Sequence, residues 1–486
     1  MSILHKHILL LLIPFLFLQS CQDYDDTLPE STSLDVQKFI WRGMNQMYLW
    51  QEDVPDLANN RFGSNAEYYN FLEQYTPEEL FKNLLYLPPR PKKEGETEEP
   101  EVVDRYSWIV SDYLTLEGQL NGTTKNNGVE FGLSRISSSS DQVIGYVRYI
   151  IPNSDAATKN IQRGEVFYAV NGTNLTLSNY ASLLFSSNEN YTLNFADLSY
   201  DNANNPVITP NGKSLALTKT NLAENPIFIK KVINTSDHKV GYLMYNGFYP
   251  SYDTELNDAF GHFKSEGITD LVLDLRYNGG GSVLSATRLA GMITGQFTGQ
   301  IFSELAYNKR KSYLNRKYVF TSTVNGTALN SLNLTTVYVL TTRSTASASE
   351  LVINGLAPYI NVIQIGDNTD GKNVASVTLY DSPSLTKTNS NPSHRYAMQL
   401  IVARSQNSVG FGDYLDGLIP DYQIFERIKT LGILGNPSEP LLSTAIGKIT
   451  GTARIIPQKP EDNLIKQFTD SKTLRGQNQM YFEITP

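Results

Sequence analysis

The sequence predicts an α/β protein of several domains. Three observations carry that expectation. From about residue 230, apolar β-rich runs alternate with helix-like segments: 239–245 as a strand, 253–266 as a helix, 271–275 (LVLDL) as a short buried strand, a helix over about 284–293, then the run 335–341 leading into a helix-like 350–357. Strands that alternate with helices in this way pair in parallel and are covered by the helices. Ahead of this core, residues 34–115 carry apolar side chains at helical spacing, and residues 117–200 carry short strand-like runs. At 486 residues the chain is long enough for more than one hydrophobic core.

Composition narrows the function. The apolar fraction of 40% and charged fraction of 18% are those of an ordinary globular protein. A net charge of −9 with no long basic run argues against nucleic acid and acidic membrane surfaces as partners. The 29 tyrosines, with many Asn, Ser and Thr, suit an exported, strand-rich protein.

Residues 1–21 read as a targeting segment. His5 and Lys6 precede the apolar run 8–18, which is too short to span a bilayer, and Gln19-Ser20-Cys21 follows. Cys21 is the sole cysteine, so an intramolecular disulfide is impossible. Its place after the apolar core resembles a bacterial lipoprotein cleavage site, which implies lipidation at Cys21 and an exported protein anchored in the bacterial cell envelope by lipid alone. The acidic stretch with Asp23, Asp25 and Asp26, within residues 22–33, suits a tether held off the surface.

A helical domain is expected over 34–116. Val36, Phe39, Ile40, Met44, Met47 and Tyr48 follow the i, i+3, i+4 rule, and Thr76-Pro77-Glu78-Glu79 has the form of a capped helix start. Residues 87–100 (LPPRPKKEGETEEP) form a Pro-rich charged loop. The stretch 117–200 is similar to a PDZ domain: strands at 129–133 and 143–151, the run Asp155-Ala156-Ala157, Gly164-Glu165-Val166, strand 167–170 and the turn Asn171-Gly172. A PDZ domain adds a peptide as an extra strand and holds its terminal carboxylate in a backbone nest. The resemblance puts that nest near residues 126–131, although the Gly-Leu-Gly-Phe form is absent; the bland alternative is that Asn171-Gly172 is only a hairpin turn.

The core, expected over 226–456 with a tail at 457–486, holds the stretch that carries chemistry. The run 335–341 leads to Ser344-Thr345-Ala346-Ser347-Ala348-Ser349-Glu350, and a loop after the apolar run 362–365 delivers Gly371-Lys372. A serine at a strand-to-helix turn sits at the positive helix end, beside outward-pointing N–H groups. This pattern resembles the carboxyl-terminal processing (tail-specific) serine proteases, which use a Ser/Lys dyad with a built-in PDZ domain and a crotonase-like core. In that family the nucleophile is the serine followed by Ala-Ser-Glu, here Ser347, and the base is a lysine 25 residues on, here Lys372. Asp274-Leu275-Arg276-Tyr277-Asn278-Gly279-Gly280-Gly281 resembles the second family signature, and Gly417-Leu418-Ile419-Pro420-Asp421 its closing run. The resemblance gives the oxyanion site to the N–H groups of Gly281 and Ala348, with Gly280 an open alternative to Gly281. A Gly-rich turn that merely needs positive φ is the plain reading of those glycines.

The chemistry stands without the family. A serine needs a base. His5 and His7 lie in the leader, His262 in a polar helix, and His238 and His394 in polar loops, so a Ser-His-Asp triad has little support. A lysine serves only when neutral, which burial promotes and pairing of Lys372 with Asp370 would oppose. The family often places an orienting glutamine four residues after the lysine, where this chain has Ser376. Neither a metal-ligand spacing nor a phosphate loop is present, so no cofactor is expected. The expected function is a serine endopeptidase acting on unfolded or tail-exposed polypeptides. The alternative is an inactive peptide- or ligand-binding lipoprotein of the same fold.

Overall fold

The computed structural model describes residues 34–90, 101–137, 139–235, 237–452, 465, 467–476 and 479–483. The leader, Cys21, the tether and residues 91–100 of the charged loop lie outside them. Helix α1 (Asp35–Met47) buries Val36, Phe39, Ile40, Met44 and Met47, the stripe expected from the spacing. Helices α2 (Asn65–Leu72) and α3 (Pro77–Asn83) follow. Thr76 opens α3 with a capping box, its hydroxyl accepting from the Glu79 N–H while the Glu79 carboxylate accepts from the Thr76 N–H. The chain then leaves the helical region through strand β1 (Trp108–Val110), which pairs with residues 397–399 of the core.

The β-rich domain comes next: β2 (Val129–Arg135), β3 (Val143–Ile150), β4 (Val166–Val170), helix α4 (Tyr180–Leu184), β5 (Asn190–Tyr200) and β6 (Pro206–Thr218). Its strands pair antiparallel in that order, over a core that includes Val129, Phe131, Leu133, Phe167 and Phe195. The sheet runs on past residue 200 into β6, which is largely exposed and carries apolar alternation only at its end, Leu215 and Leu217.

The core follows, in the order β7 (Ile227–Asn234), β8 (Lys239–Tyr245), α5 (Asp253–Glu266), β9 (Asp270–Asp274), α6 (Val283–Thr294), β10 (Ile301–Tyr307), β11 (Thr336–Thr341), α7 (Ala348–Leu356), β12 (Asn361–Gly366), β13 (Val374–Tyr380), β14 (Ala397–Asn407), β15 (Tyr422–Gln423) and α8 (Pro440–Ile449). The tail adds β16 (Gln467–Asp470) and β17 (Met480–Tyr481). One sheet has the order β7-β8-β9-β11-β12-β15 and is parallel from β8 onward. A second runs from Gly281–Ser282 through β17, β13, β14 and β10 to Arg316–Val319. Leu289, Ile293, Leu351 and Leu356 of α6 and α7 share one buried cluster with Val339 of the first sheet and Leu400 of the second. Leu273 sits opposite Val339 in the parallel pair β9–β11, so the turns that leave these two strands emerge side by side. Such paired strand ends are where α/β sheets place their sites. Among the described residues, no helix is long and apolar enough to cross a membrane.

Candidate active site

Two turns form the floor of the site. The turn after β9 is held from below by Arg276, which has no exposed surface. Its guanidinium donates to Asp274 at 2.9 Å, to Glu439 at 2.7 Å and to Glu426 at 3.0 Å. A fully buried arginine is tolerable only with this degree of pairing. The Asn278 side chain accepts from the Gly280 N–H at 2.9 Å and donates to the Tyr245 carbonyl at 2.8 Å. The turn after β11 is stitched to the first: the Thr345 hydroxyl donates to the Leu275 carbonyl at 2.9 Å, and the Ala346 N–H and Ser349 hydroxyl donate to the Asn278 carbonyl at 3.1 and 3.0 Å.

Ser347 stands at the mouth of α7 with φ 66° and ψ −116°. A non-glycine residue pays about 1–3 kcal/mol for such a backbone, and strain of this kind concentrates at functional turns. Its Oγ is buried and has no hydrogen-bond partner among the described residues. The Ala348 N–H opens the helix, where an N–H has no intrahelical acceptor. A Cβ on Gly280 would lie 2.6 Å from Ser347 Cβ and 2.9 Å from Ala348 N, so only glycine lets the first turn come this close. Of the two candidate glycine donors, Gly280 spends its N–H on Asn278, while the Gly281 N–H meets the carbonyl oxygen of Gln479.

Glu350 joins serine and lysine. One oxygen of its buried carboxylate, Oε2, accepts from the Ser347 N–H at 2.7 Å and from the Lys372 N–H at 2.9 Å. The other, Oε1, accepts from the Gly371 N–H at 2.7 Å and the Thr369 hydroxyl at 2.6 Å. Burial and then the Asp370 charge push its pKa up to about 7, against the donors that favour the anion. The motif placed Glu350 after the serine, but its partners at 369–372 belong to another loop, and nothing local in the sequence signals them.

Lys372 has no exposed surface. Burial is the largest influence on its ammonium and brings it down to about 7; Asp370, Asp104 and Glu350 pull upward by less, and Arg105 assists the lowering. Asp370 is engaged elsewhere: it accepts from the Tyr106 hydroxyl at 2.7 Å, and its carbonyl accepts from Arg105 at 3.0 Å. The Tyr106 ring covers the lysine, with Nζ 4.6 Å from the ring centre. Nζ also donates to Gln479 Oε1 at 3.2 Å. Ser376, where the family often has an orienting glutamine, hydrogen-bonds to Gln399, Gln479 and the Met480 carbonyl. A glutamine thus reaches the lysine from the tail, by a route that spacing along the chain could not reveal.

The histidines are occupied differently. His238 pairs with Asp270 at 2.8 Å and His394 with Asp381 at 3.2 Å. His394, expected in a polar loop, is buried. Neither shares a described hydrogen bond with a serine hydroxyl.

Comparison with known proteins is consistent with this geometry. The family model "Peptidase family S41" matches residues 239–411, and "Peptidase S41 N-terminal domain" matches residues 35–108, together about half of the chain. The chain belongs to peptidase family S41. This S41 chain is similar to a carboxyl-terminal-processing protease of Picosynechococcus, at 28% identity over 239 residues, 49% of this chain and 51% of that one. It is also similar to a chloroplastic C-terminal processing peptidase of Tetradesmus obliquus, at 24% identity over 47% of each chain. It spans about half the length of these curated relatives. A solved structure of a protein assigned to the S41 proteases, from Bacteroides fragilis NCTC 9343, superposes with a TM-score of 0.64 at 27% identity, over 85% of this chain and 97% of that one. The α/β, multidomain S41 fold, with its helical N-terminal region and β-rich domain, is therefore the fold of this chain.

Proposed function

We propose that this chain is a serine endopeptidase that cleaves unfolded or tail-exposed polypeptides, working as a Ser/Lys dyad. The observation that carries the reading is Lys372: a lysine with no exposed surface, poised near pKa 7, on a loop that shares one carboxylate oxygen with the backbone of Ser347. Neutral Lys372 takes the Ser347 proton as Oγ attacks the peptide carbonyl carbon. The resulting oxyanion is stabilised by the N–H groups of Gly281 and Ala348. The C–N bond breaks as the lysine returns the proton to the leaving amine, and water then releases the acyl group by the same route.

The β-rich domain is read as a PDZ-type reader of substrate tails, with β2 as the strand that accepts an added peptide and the loop before it as the carboxylate nest. The apolar residues of β2, Val129, Phe131 and Leu133, of which the first two line the neighbouring cleft, are read as favouring an apolar last residue. An unfolded substrate ending in an apolar residue is expected to be cut several-fold faster than the same chain with an amidated terminus. Equal rates for the two termini would show that this domain does not read the carboxylate.

Location follows from Cys21, read as the lipidated residue that tethers the enzyme in the bacterial cell envelope. Labelling of cells with a fatty acid is expected to mark the wild-type protein and to leave Cys21→Ser unmarked. Equal labelling of both would remove Cys21 as the anchor.

A further inference from the structure

The polar tail beyond about residue 456 carries no recognisable motif, yet its residues after 465 lie along β2 and the turns of the site. Strand β16 adds antiparallel to β2, with Thr469 opposite Leu133 and Asp470 opposite Gly132. Phe468 meets the Tyr180 ring of α4 edge-on at 5.4 Å. At the end of β16, the Ser471 hydroxyl accepts from the Phe131 N–H at 3.1 Å, near the start of β2 and beside the loop read as the carboxylate nest. Three ion pairs hold the segment to the body: Asp470 with Arg148 at 3.0 Å, Lys472 with Glu224 at 3.3 Å, and Arg475 with Glu130. The chain then reaches the catalytic turns. Strand β17 pairs with Gly281–Ser282 on one side and with Ser376 on the other. The Gln479 carbonyl accepts from the Gly281 N–H, and the Gln479 side chain takes a hydrogen bond from Lys372 Nζ at 3.2 Å.

We propose that residues 467–476 and 479–483 are a peptide ligand bound in cis, which holds the peptidase latent until a substrate tail displaces them. This rests on the reading of Ser347 and Lys372 given above. Three features support it. A peptide that joins β2 needs the edge β16 now fills, because one strand edge pairs with one strand. A substrate carbonyl needs the Gly281 N–H, which Gln479 now holds. Lys372 Nζ donates to Gln479, while Ser347 Oγ is without a partner among the described residues, so base and nucleophile are not engaged with each other. The open space agrees. A cleft of about 2440 Å³ is lined by Val129, Phe131, Tyr106, Asp370 and Gln479, whereas Ser347 and Lys372 line none of it and have no exposed surface. Gln479 and Tyr106 line this cleft and both contact Lys372, so they stand between the cleft and the lysine. The regulation that follows is competition: a tail that pairs with β2 evicts β16, and Gln479 leaves the catalytic turns with it.

The test severs the tail after folding. A recognition sequence for an unrelated protease is placed within residues 453–464 of the full chain, the folded protein is cut, and the released tail is removed. A short tether keeps a ligand at an effective concentration in the millimolar range, so its loss is expected to raise kcat/KM on an unfolded test protein about tenfold or more. A synthetic 465–486 peptide is expected to restore inhibition by raising KM with kcat unchanged. Phe468→Asp in the uncut chain loosens β16 without removing it and is expected to give an intermediate increase. A rate lowered by severing would overturn the proposal and make Gln479 a working part of the catalytic apparatus; an unchanged rate, or a peptide that does not inhibit, would overturn it and leave Gln479 without a role in catalysis. Binding is followed separately with fluorescent 465–486 peptide on severed Ser347→Ala protein. Peptide binding with no cleavage by any form would sink the peptidase reading and keep the occupancy. Cleavage at equal rates with and without the tail would sink the occupancy alone.

Discussion

Ser347→Ala and Lys372→Ala are each expected to lower kcat/KM on an unfolded substrate by about 10⁴-fold or more, and the double variant by little more than either, because the pair acts as a unit. Ser347→Ala deletes an oxygen that holds no described hydrogen bond, so the fold should be unaffected. Lys372→Met, which keeps the volume, serves as the control for packing. The pH profile carries the same prediction. Lys372 is neutral only above its lowered value of about 7, so kcat/KM should climb with pH through a limb near 7 and be lost below it. Glu350, raised into the same range, shares that limb, which therefore belongs to the pair. Stability follows the same proton. In the unfolded chain the lysine protonates below about 10.4, while in the folded chain it does so only below about 7. Between these values the unfolded state binds more protons, and this group makes the fold more stable as pH rises. Near-normal activity in Lys372→Ala, or a limb that vanishes in His262→Ala or His394→Ala, would remove the dyad.

Glu350→Ala is expected to damage both fold and rate. It strips the acceptor from three backbone N–H groups and the Thr369 hydroxyl in a fully buried place. An orphaned buried donor costs about 1–3 kcal/mol. With partial relief from entering water, the total is about 4 kcal/mol, a fall in Tm of roughly 10 °C. The serine and lysine backbones lose their common anchor, and displacement of about 1 Å is enough for a hundredfold loss of rate. Glu350→Gln should be nearly as harmful, because its amide N–H₂ would face N–H or O–H donors. Full activity and an unchanged melting curve in Glu350→Gln would show that the anion is not what holds the two loops.

Much of the core was legible because its signals are local. The alternation of β8, α5, β9, α6, β11 and α7 shows in periodicity, and the Ser347–Lys372 spacing shows in a short motif. What was not legible depends on distant partners. Tyr106 and Arg105 reach the lysine loop from the N-terminal region. Gln479 stands in a polar tail whose strands are two and four residues long, too short for a period to appear. Strand β6 is exposed along most of its length, so apolar alternation marks only its end. The sequence left Lys372 between a buried base and a partner of Asp370; the structure gives Asp370 to Tyr106 and Arg105.

The aromatic cover on Lys372 also sets a schedule. The ring of Tyr106 is made early in synthesis and the lysine it covers 266 positions later. A chain whose Tyr106 region has not yet closed over the lysine loop leaves that lysine in water, where its pKa is about 10.4 and the amine is charged at neutral pH. On the proposed reading, such a chain carries Ser347 without its base. On the proposed dyad, peptide cleavage is withheld from partly folded intermediates, because proton affinity at one nitrogen registers whether the two regions have closed over it.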